Sequence, residues 1–273
     1  MSLITITSGL GCAGFDIGKI VADELKVDLH DDERLQEEAF KIGIIEEDLK
    51  GLDEKAPGLF NRLLSRKSQT YLNVMEALIY EIARRGQGVI LGHAAQWLIR
   101  DFGCALHVRI HASESSRIKQ LIEQLGVSHE VAEKMTRKSD SERNGFMQFA
   151  YHMDWNDPSL YDLIINQDKL GKDWAARLII DAAQSQEIAV CSLTAMDAME
   201  KLSLSKRVEA AMIKNRISTL ELNIDVPEKG VVYITGTINP LESEAHVIAI
   251  AKGIPGVLEV KSEVTVPAIH DIG

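Results

Sequence analysis

Cysteine is scarce: Cys12, Cys104 and Cys191 are widely separated and none forms a CxxC pair. That spacing argues against both a zinc site and a disulfide framework, and it suits a reducing compartment. Long apolar runs are also missing; none reaches the roughly 18 residues a membrane span requires. The N-terminus has no Lys or Arg before Lys19, and Thr5, Thr7, Ser8 and glycines interrupt its apolar stretch, so it does not read as an export signal. Positive charge is in deficit, with 30 Lys and Arg against 41 Asp and Glu, a net charge of -11 and a pI near 5.2. Broad binding to nucleic acid or to an anionic membrane needs clustered cations, so neither is an expected partner. The chain reads as cytoplasmic, and any phosphate chemistry in it must depend on locally gathered cations.

The apolar fraction of 45% and charged fraction of 26% over 273 residues suit a globular protein of two domains. Leu3 to Thr7 is a β-branched run ending in a glycine-rich turn, after which Ile17, Ile20, Val21 and Leu25 recur at helical spacing. Further helices are expected around Leu72 to Ile82, Ser115 to Leu125 and Trp174 to Ala183. Strands are expected at Val89 to Leu91, Leu106 to Ile110 and Leu163 to Asn166. Strands alternating with helices imply an α/β fold with a mostly parallel sheet covered on both faces. The alternation weakens over Gln184 to Ser205, which divides the chain into residues 1–190 and 203–267. The second part reads as helix Ser205 to Arg216, strands Leu222 to Val226 and Val231 to Thr235, helix Leu241 to Lys252 and strand Val257 to Val266, an αββαβ order.

Gly9-Leu10-Gly11-Cys12-Ala13-Gly14 has GxxxxG spacing between the first strand and the helix it opens. Small residues let backbone N–H groups converge on an anion, and the helix points its unpaired N–H groups and positive dipole end at the same place. Phosphate is the natural ligand; the competing reading is a tight turn that merely needs glycine. A full Walker motif continues with Lys and then Ser or Thr, whereas Phe15 and Asp16 stand here. Asp16 either ligates magnesium or only satisfies the helix N-terminus. Lys19, one turn beyond Phe15, is a candidate to lean back towards a phosphate.

The ordered segments ITITSGLGCAGFDIGKIVADEL, DLHDDERL, GVILGHAAQWLIRD, LHVRIHAS, RKSDSER and DWNDPSLYDLIIN resemble the cytidylate kinase-like family from Leu3 to about Ala183. The resemblance implies a P-loop kinase fold, ATP as phosphoryl donor with Mg2+, and a nucleoside monophosphate acceptor of the CMP or dCMP type. It also implies roles for particular residues. Arg137, Asp140 and Arg143 resemble a lid motif in which arginines clasp phosphates, and at i, i+3 and i+6 they are expected to share roughly one helical face; the alternative is a solvated charged helix. Asp31 is the candidate for organising acceptor nucleotide or metal, with Asp32 and Glu33 as helix caps. Arg100 is a candidate for the acceptor phosphate; His93, which stands where related sequences carry an arginine, is a candidate for the acceptor nucleotide, the alternative being a satisfied structural histidine. Arg117 is a candidate for the donor nucleotide. Asp154, Trp155, Asp157 and Tyr161 are expected to anchor the lid. Where relatives often read INTS this chain reads INQD, with Gln167 and Asp168. These departures gather at phosphate-handling positions, so a domain that binds nucleotide without transferring phosphate is the alternative.

GVVYITGTI and GIPGVLEVKSEVTV, within about Ser203 to Pro267, resemble the BON domain, a small α+β module. Gly236 and Gly256 are expected in turns, and Val257, Val260, Val264 and Val266 on the inner face of a strand carrying a bulge. BON domains are associated with phospholipid or small-ligand binding, but this segment lacks a basic stripe. A regulatory or oligomer-forming module is expected, with a packing appendage as the equal alternative; homo-oligomers through either domain and nucleotides are the expected partners.

Overall fold

The computed structural model describes residues 3–42, 68–188, 191–240 and 242–267. Packing divides these into two units. The first takes residues 3–36 and 85 to 192, and the second takes 37–42, 68–84 and the chain from Leu193 onward.

The first unit is built on a five-stranded sheet ordered β2-β3-β1-β4-β5, with every described pairing parallel. Its strands are β1 (Leu3–Ser8), β2 (Leu29–His30), β3 (Gly88–Leu91), β4 (Ala105–His111) and β5 (Leu163–Asn166). Parallel neighbours require crossovers, which helices α1 (Gly14–Leu25), α4 (Ala95–Leu98), α5 (Glu114–Leu125) and α6 (His129–Tyr151) contribute to, while α7 (Gln167–Ala183) follows the last strand. Alternate residues of the central strand point to opposite faces. Ile4 and Ile6 join Val108, Ile110 and Ile165 against Ile17 and Val21 of α1 and Ala175, Ala176 and Ile179 of α7. Each fully buried Ile or Leu of this kind contributes about 1.5–3 kcal/mol. On the other face the same strand presents Thr5 to His107 Nδ1 at 2.9 Å and Thr7, whose hydroxyl donates to Gln96 Oε1 at 3.1 Å.

Helix α2 (Asp32–Lys41) follows β2, and helix α3 (Ser68–Ala83) belongs to the second unit. There α3 packs on the long α8 (Leu193–Lys214): Ser203 Oγ donates to the Ala77 carbonyl at 2.9 Å, and Lys206 pairs with Glu76 at 3.1 Å. α8 begins twelve residues before the helix start expected at Ser205, because the weakly patterned stretch after Leu193 is helical. The same unit holds a three-stranded sheet of β6 (Leu222–Glu228), β7 (Val231–Thr237) and β8 (Glu259–Thr265), with α9 (Glu244–Lys252) before the last strand. Val208, Met212, Val232, Ile234, Val247 and Ala251 form its core. The αββαβ order is therefore present.

Several sequence expectations change in detail. The bulge lies in β6 between Asp225 and Glu228, where Pro227 has no N–H to give the ladder, and β8 pairs with β7 in unbroken register from Val231↔Glu259 to Thr237↔Thr265. Gly236 is not in a turn: it pairs with Leu222 inside β7 at φ 117°, where an added Cβ would stand 2.0 Å from the Glu221 carbonyl oxygen. Leu241, the expected start of a helix, lies outside the described residues, and α9 begins at Glu244.

Cysteine usage needs a larger correction. Cys104 and Cys191 form a disulfide across 87 residues, with Cα atoms 5.1 Å apart, while Cys12 is free. The bonded pair removes the cysteine argument for a reducing compartment. No spacing rule finds such a pair, since only the tertiary fold brings the start of β4 to the segment that follows α7. Among the described residues no helix is long and apolar enough to cross a membrane.

Candidate functional site

The loop after the central strand opens a cavity of about 360 Å³. Its floor is Ser8 to Asp16. Its walls are Asp31 and Asp32 at the start of α2, Gly92 and Gln96 after β3, Gln120 and Gln124 of α5, Arg143 and Met147 of α6, and Trp155. Phe15 is 47% exposed, so its ring stands at the rim and does not fill the space. Ala13, the residue before α1, offers no side-chain cap. The first N–H groups of a helix have no partner within it, so those of α1 present their positive end to the cavity.

The glycines are required by what approaches them. Gly11 adopts φ +79°, and a Cβ there would meet the Arg117 carbonyl oxygen at 2.6 Å; one on Gly14 would meet Ser8 Oγ at 2.1 Å. Arg117 locks the loop from behind. Its Nε donates to the Leu10 carbonyl at 2.7 Å, and its two terminal nitrogens donate to both oxygens of Asp140, each at 2.7 Å. Burial pulls the Arg117 pKa down, but the bonds and charge of Asp140 outweigh it and leave the group above its ordinary value. The Cys12 thiol is pushed up by burial, against the lowering effect of Arg117.

The residues named from sequence separate into those that meet the cavity and those that do not. Gly9, Gly11, Cys12, Ala13, Gly14, Phe15, Asp16, Asp31 and Arg143 line it. Asp31 does so while capping α2, its Oδ1 accepting from the Arg34 N–H at 2.9 Å. Asp140 and Arg117 stand behind the loop as its brace. His93 is buried at φ 56° with Nε2 2.8 Å from Asp32 Oδ1, so it holds a wall residue. Lys19 lines a shallow depression beside the cavity together with Asp16, Asp23 and Lys172. Arg100 lies over the Trp97 ring at 3.8 Å and donates to the Trp97 carbonyl. Arg137 is paired with Glu114 at 3.2 Å and Glu133 at 2.6 Å, which raise its pKa, and its side chain is exposed.

Arg137 and Arg143 thus part company. At 3.6 residues per turn, six positions place two side chains about 120° apart around a helix, too far for one face. Arg143 is buried, hydrogen-bonded to Ser139 Oγ at 2.7 Å and 5.9 Å from the Trp155 ring centroid. Trp155 is held by Arg109, whose guanidinium lies 4.3 Å over its ring and donates to the Trp155 carbonyl and Asn156 Oδ1, each at 2.7 Å. Tyr161 Oη donates to the same carbonyl at 2.9 Å. Asp154 accepts from the Asn156 N–H and Asp157 from the Ser159 N–H, so both fix the turn itself. Sequence reasoning missed Gln96 and Arg109. A charged residue inside the apolar run LHVRIH was a usable signal that a buried partner awaited it.

A parallel sheet ordered β2-β3-β1-β4-β5, with a glycine loop joining its central strand to a helix, defines a P-loop kinase fold; a small α+β module follows it. The chain belongs to the Cytidylate kinase-like family, which it matches over residues 3–169, and it matches the BON domain over residues 202–268. An uncharacterized protein from Eubacterium ventriosum ATCC 27560 shares the fold at TM-score 0.54 and 24% identity, covering 67% of this chain and 97% of that one. Shikimate kinase from Bacteroides thetaiotaomicron aligns at TM-score 0.41 and 16% identity, over 67% of this chain and 96% of its own. A gluconokinase from Sinorhizobium meliloti 1021 aligns at 0.39 and 13%, over 72% and 93%. No curated protein matches.

Proposed function

We propose that the chain is a magnesium-dependent phosphotransferase that passes the γ-phosphoryl of ATP to a nucleoside monophosphate, with CMP or dCMP as the acceptor that family membership favours. The observation that carries this reading is the open cavity over the glycine loop, into which the uncapped N-terminus of α1 faces. Phosphoryl transfer is mainly positioning and charge stabilisation, so an anion-binding loop and a buried arginine on the facing helix are the parts it needs. Arg143 is that arginine, and it is the one Lys or Arg among the described residues that line the cavity.

Magnesium fits the donor set. It binds through one or two carboxylates together with substrate phosphates, not through a dedicated protein cage. Asp16 and Asp31 line the cavity, and no group of three or more potential ligands gathers among the described residues. Asp16, two positions after Gly14, and Asp31 would hold the ion, which would neutralise charge on the transferring group.

A second reading, a nucleotide-binding sensor that signals through the BON domain, draws on Phe15 in the lysine position and on the outward pairing of Arg100 and Arg137. Under either reading the BON domain serves regulation or self-association. A coupled assay of ADP release with a panel of monophosphates separates the two. Turnover well above background with a pyrimidine monophosphate supports the enzyme, and nucleotide binding without turnover supports the sensor.

A further inference from the structure

The loop lacks the lysine that usually meets the donor phosphates, since Phe15 follows Gly14. A cation stands beside the cavity from another element, in the neighbouring depression that it lines together with Asp16. Lys172 Nζ is paired with Asp16 Oδ2, 156 residues away in sequence, and Asp16 lines the cavity. The contact is built into the fold. α7 breaks at Gly171, whose φ of 70° and ψ of 177° are not helical, and the break sets the following residue against α1. An added Cβ at Gly171 would meet nothing within 4 Å, so the backbone angle alone calls for glycine there. The head of α7, before this break, is fixed by two bonds. Gln167 Oε1 accepts the Ala13 N–H of the loop at 3.3 Å, and Asp168 accepts the Ser113 N–H at 3.1 Å.

We propose that Lys172 supplies the phosphate-directed positive charge that the loop itself lacks: its ammonium is held at the cavity rim by Asp16 and turns to the polyphosphate of a bound nucleotide. This rests on the phosphate-loop reading and adds the residue that completes it. The alternative role for Lys172 is that of a solvated ion pair joining α1 to α7. Both side chains are about half exposed, at 48% and 42%, and a surface pair of that kind has little effect on anything beyond itself. A lysine suits the proposed task because its ammonium is a point charge on a flexible stem, free to exchange a carboxylate for a phosphate.

Titration calorimetry of the full chain with inorganic tripolyphosphate, in EDTA and at low salt, tests this. Lys172→Met is expected to weaken binding at least about tenfold, equal to about 1.4 kcal/mol, while Lys172→Arg stays within about threefold of wild type. Asp16→Asn keeps Lys172 and removes the competing carboxylate, so it is expected to tighten metal-free binding, and it serves if the Met variant does not fold. Wild-type affinity in Lys172→Met, or unchanged or weaker affinity in Asp16→Asn, overturns the inference alone. If the wild-type chain binds no tripolyphosphate, the phosphate-loop reading fails and the inference fails with it.

Discussion

The two opposite edges of the five-stranded sheet reached along its strands, where they end and where they begin, differ in how they are closed. At the edge where β1 ends, α1 starts without a side-chain cap, glycines crowd the turn, and a cavity stays open above it. At the edge where β3 and β4 begin, contacts are closed. Cys104, one residue before β4, is bonded to Cys191, whose sulfur lies 3.6 Å from the carbonyl oxygen of Gly86, shortly before β3. The candidate site lies beside the uncapped start of α1, and the covalent cross-link lies at the opposite ends of the strands.

The largest effect that would sharpen this contrast is on the closed edge. Reducing the disulfide, or replacing both cysteines with serine, is expected to remove about 2–4 kcal/mol of stability, the range typical of a native cross-link. In a domain of this size the thermal midpoint falls by roughly 5–12 °C. ATP affinity, measured on the folded protein, should change by less than about twofold, because the bond lies across the sheet from the loop. A large loss of affinity on reduction would break the contrast.

On the open edge the expected order is reversed, with binding hit harder than folding. Gly11→Ala forces a side chain into φ +79° and against the Arg117 backbone, a strain of about 1–3 kcal/mol. Polyphosphate affinity should fall at least tenfold in calorimetry, while the thermal midpoint moves less than it does on losing the disulfide. Arg143→Ala is expected to lower kcat/KM by about 100-fold, in line with removing one preorganised charge from a transferring group. Arg137→Ala should cost at least tenfold less than that. Equal losses for the two arginines would mean that the helix presents both to the reactants.

The smallest expected effect lies between the edges, at the buried His107 of β4. Burial pushes its pKa below 6.5, against the raising effects of Asp162 and of the bond with the Ile99 backbone. The unfolded chain therefore takes up a proton on this residue before the folded one does. The stability this residue contributes is present above pH 6.5 and declines as pH falls through 6.5 towards the folded value. Thermal midpoints between pH 7.5 and 5 should show this decline, and His107→Gln should flatten part of it.

What the sequence revealed follows from how local the signal was. β1, β4 and β5 were readable to within a residue or so, because β-branched runs bounded by glycine or polar turns need no distant partner to be recognised. The loop was readable because its chemistry is contiguous. The helical stretch from Leu193 was hidden by weak apolar periodicity, and the break at Gly171 by an otherwise helical pattern. The site was legible only in part. Gly9 to Asp16 and Asp31 line the cavity, but Lys172, Gln96 and the brace from Arg117 to Asp140 depend on contacts between elements far apart in the chain. Cys104 and Cys191 illustrate the same limit, since 87 residues separate them and only the sheet brings them together.

The central claim is that backbone amides of the glycine loop and of the first turn of α1 receive a polyphosphate. Titrating ATP into the isotopically labelled chain and following amide chemical shifts tests it most directly. The largest shifts are expected on Gly11 to Asp16, with further shifts at Lys172 and Arg143. Saturating ATP that leaves those amides unmoved, or shifts confined to the BON domain, would contradict it.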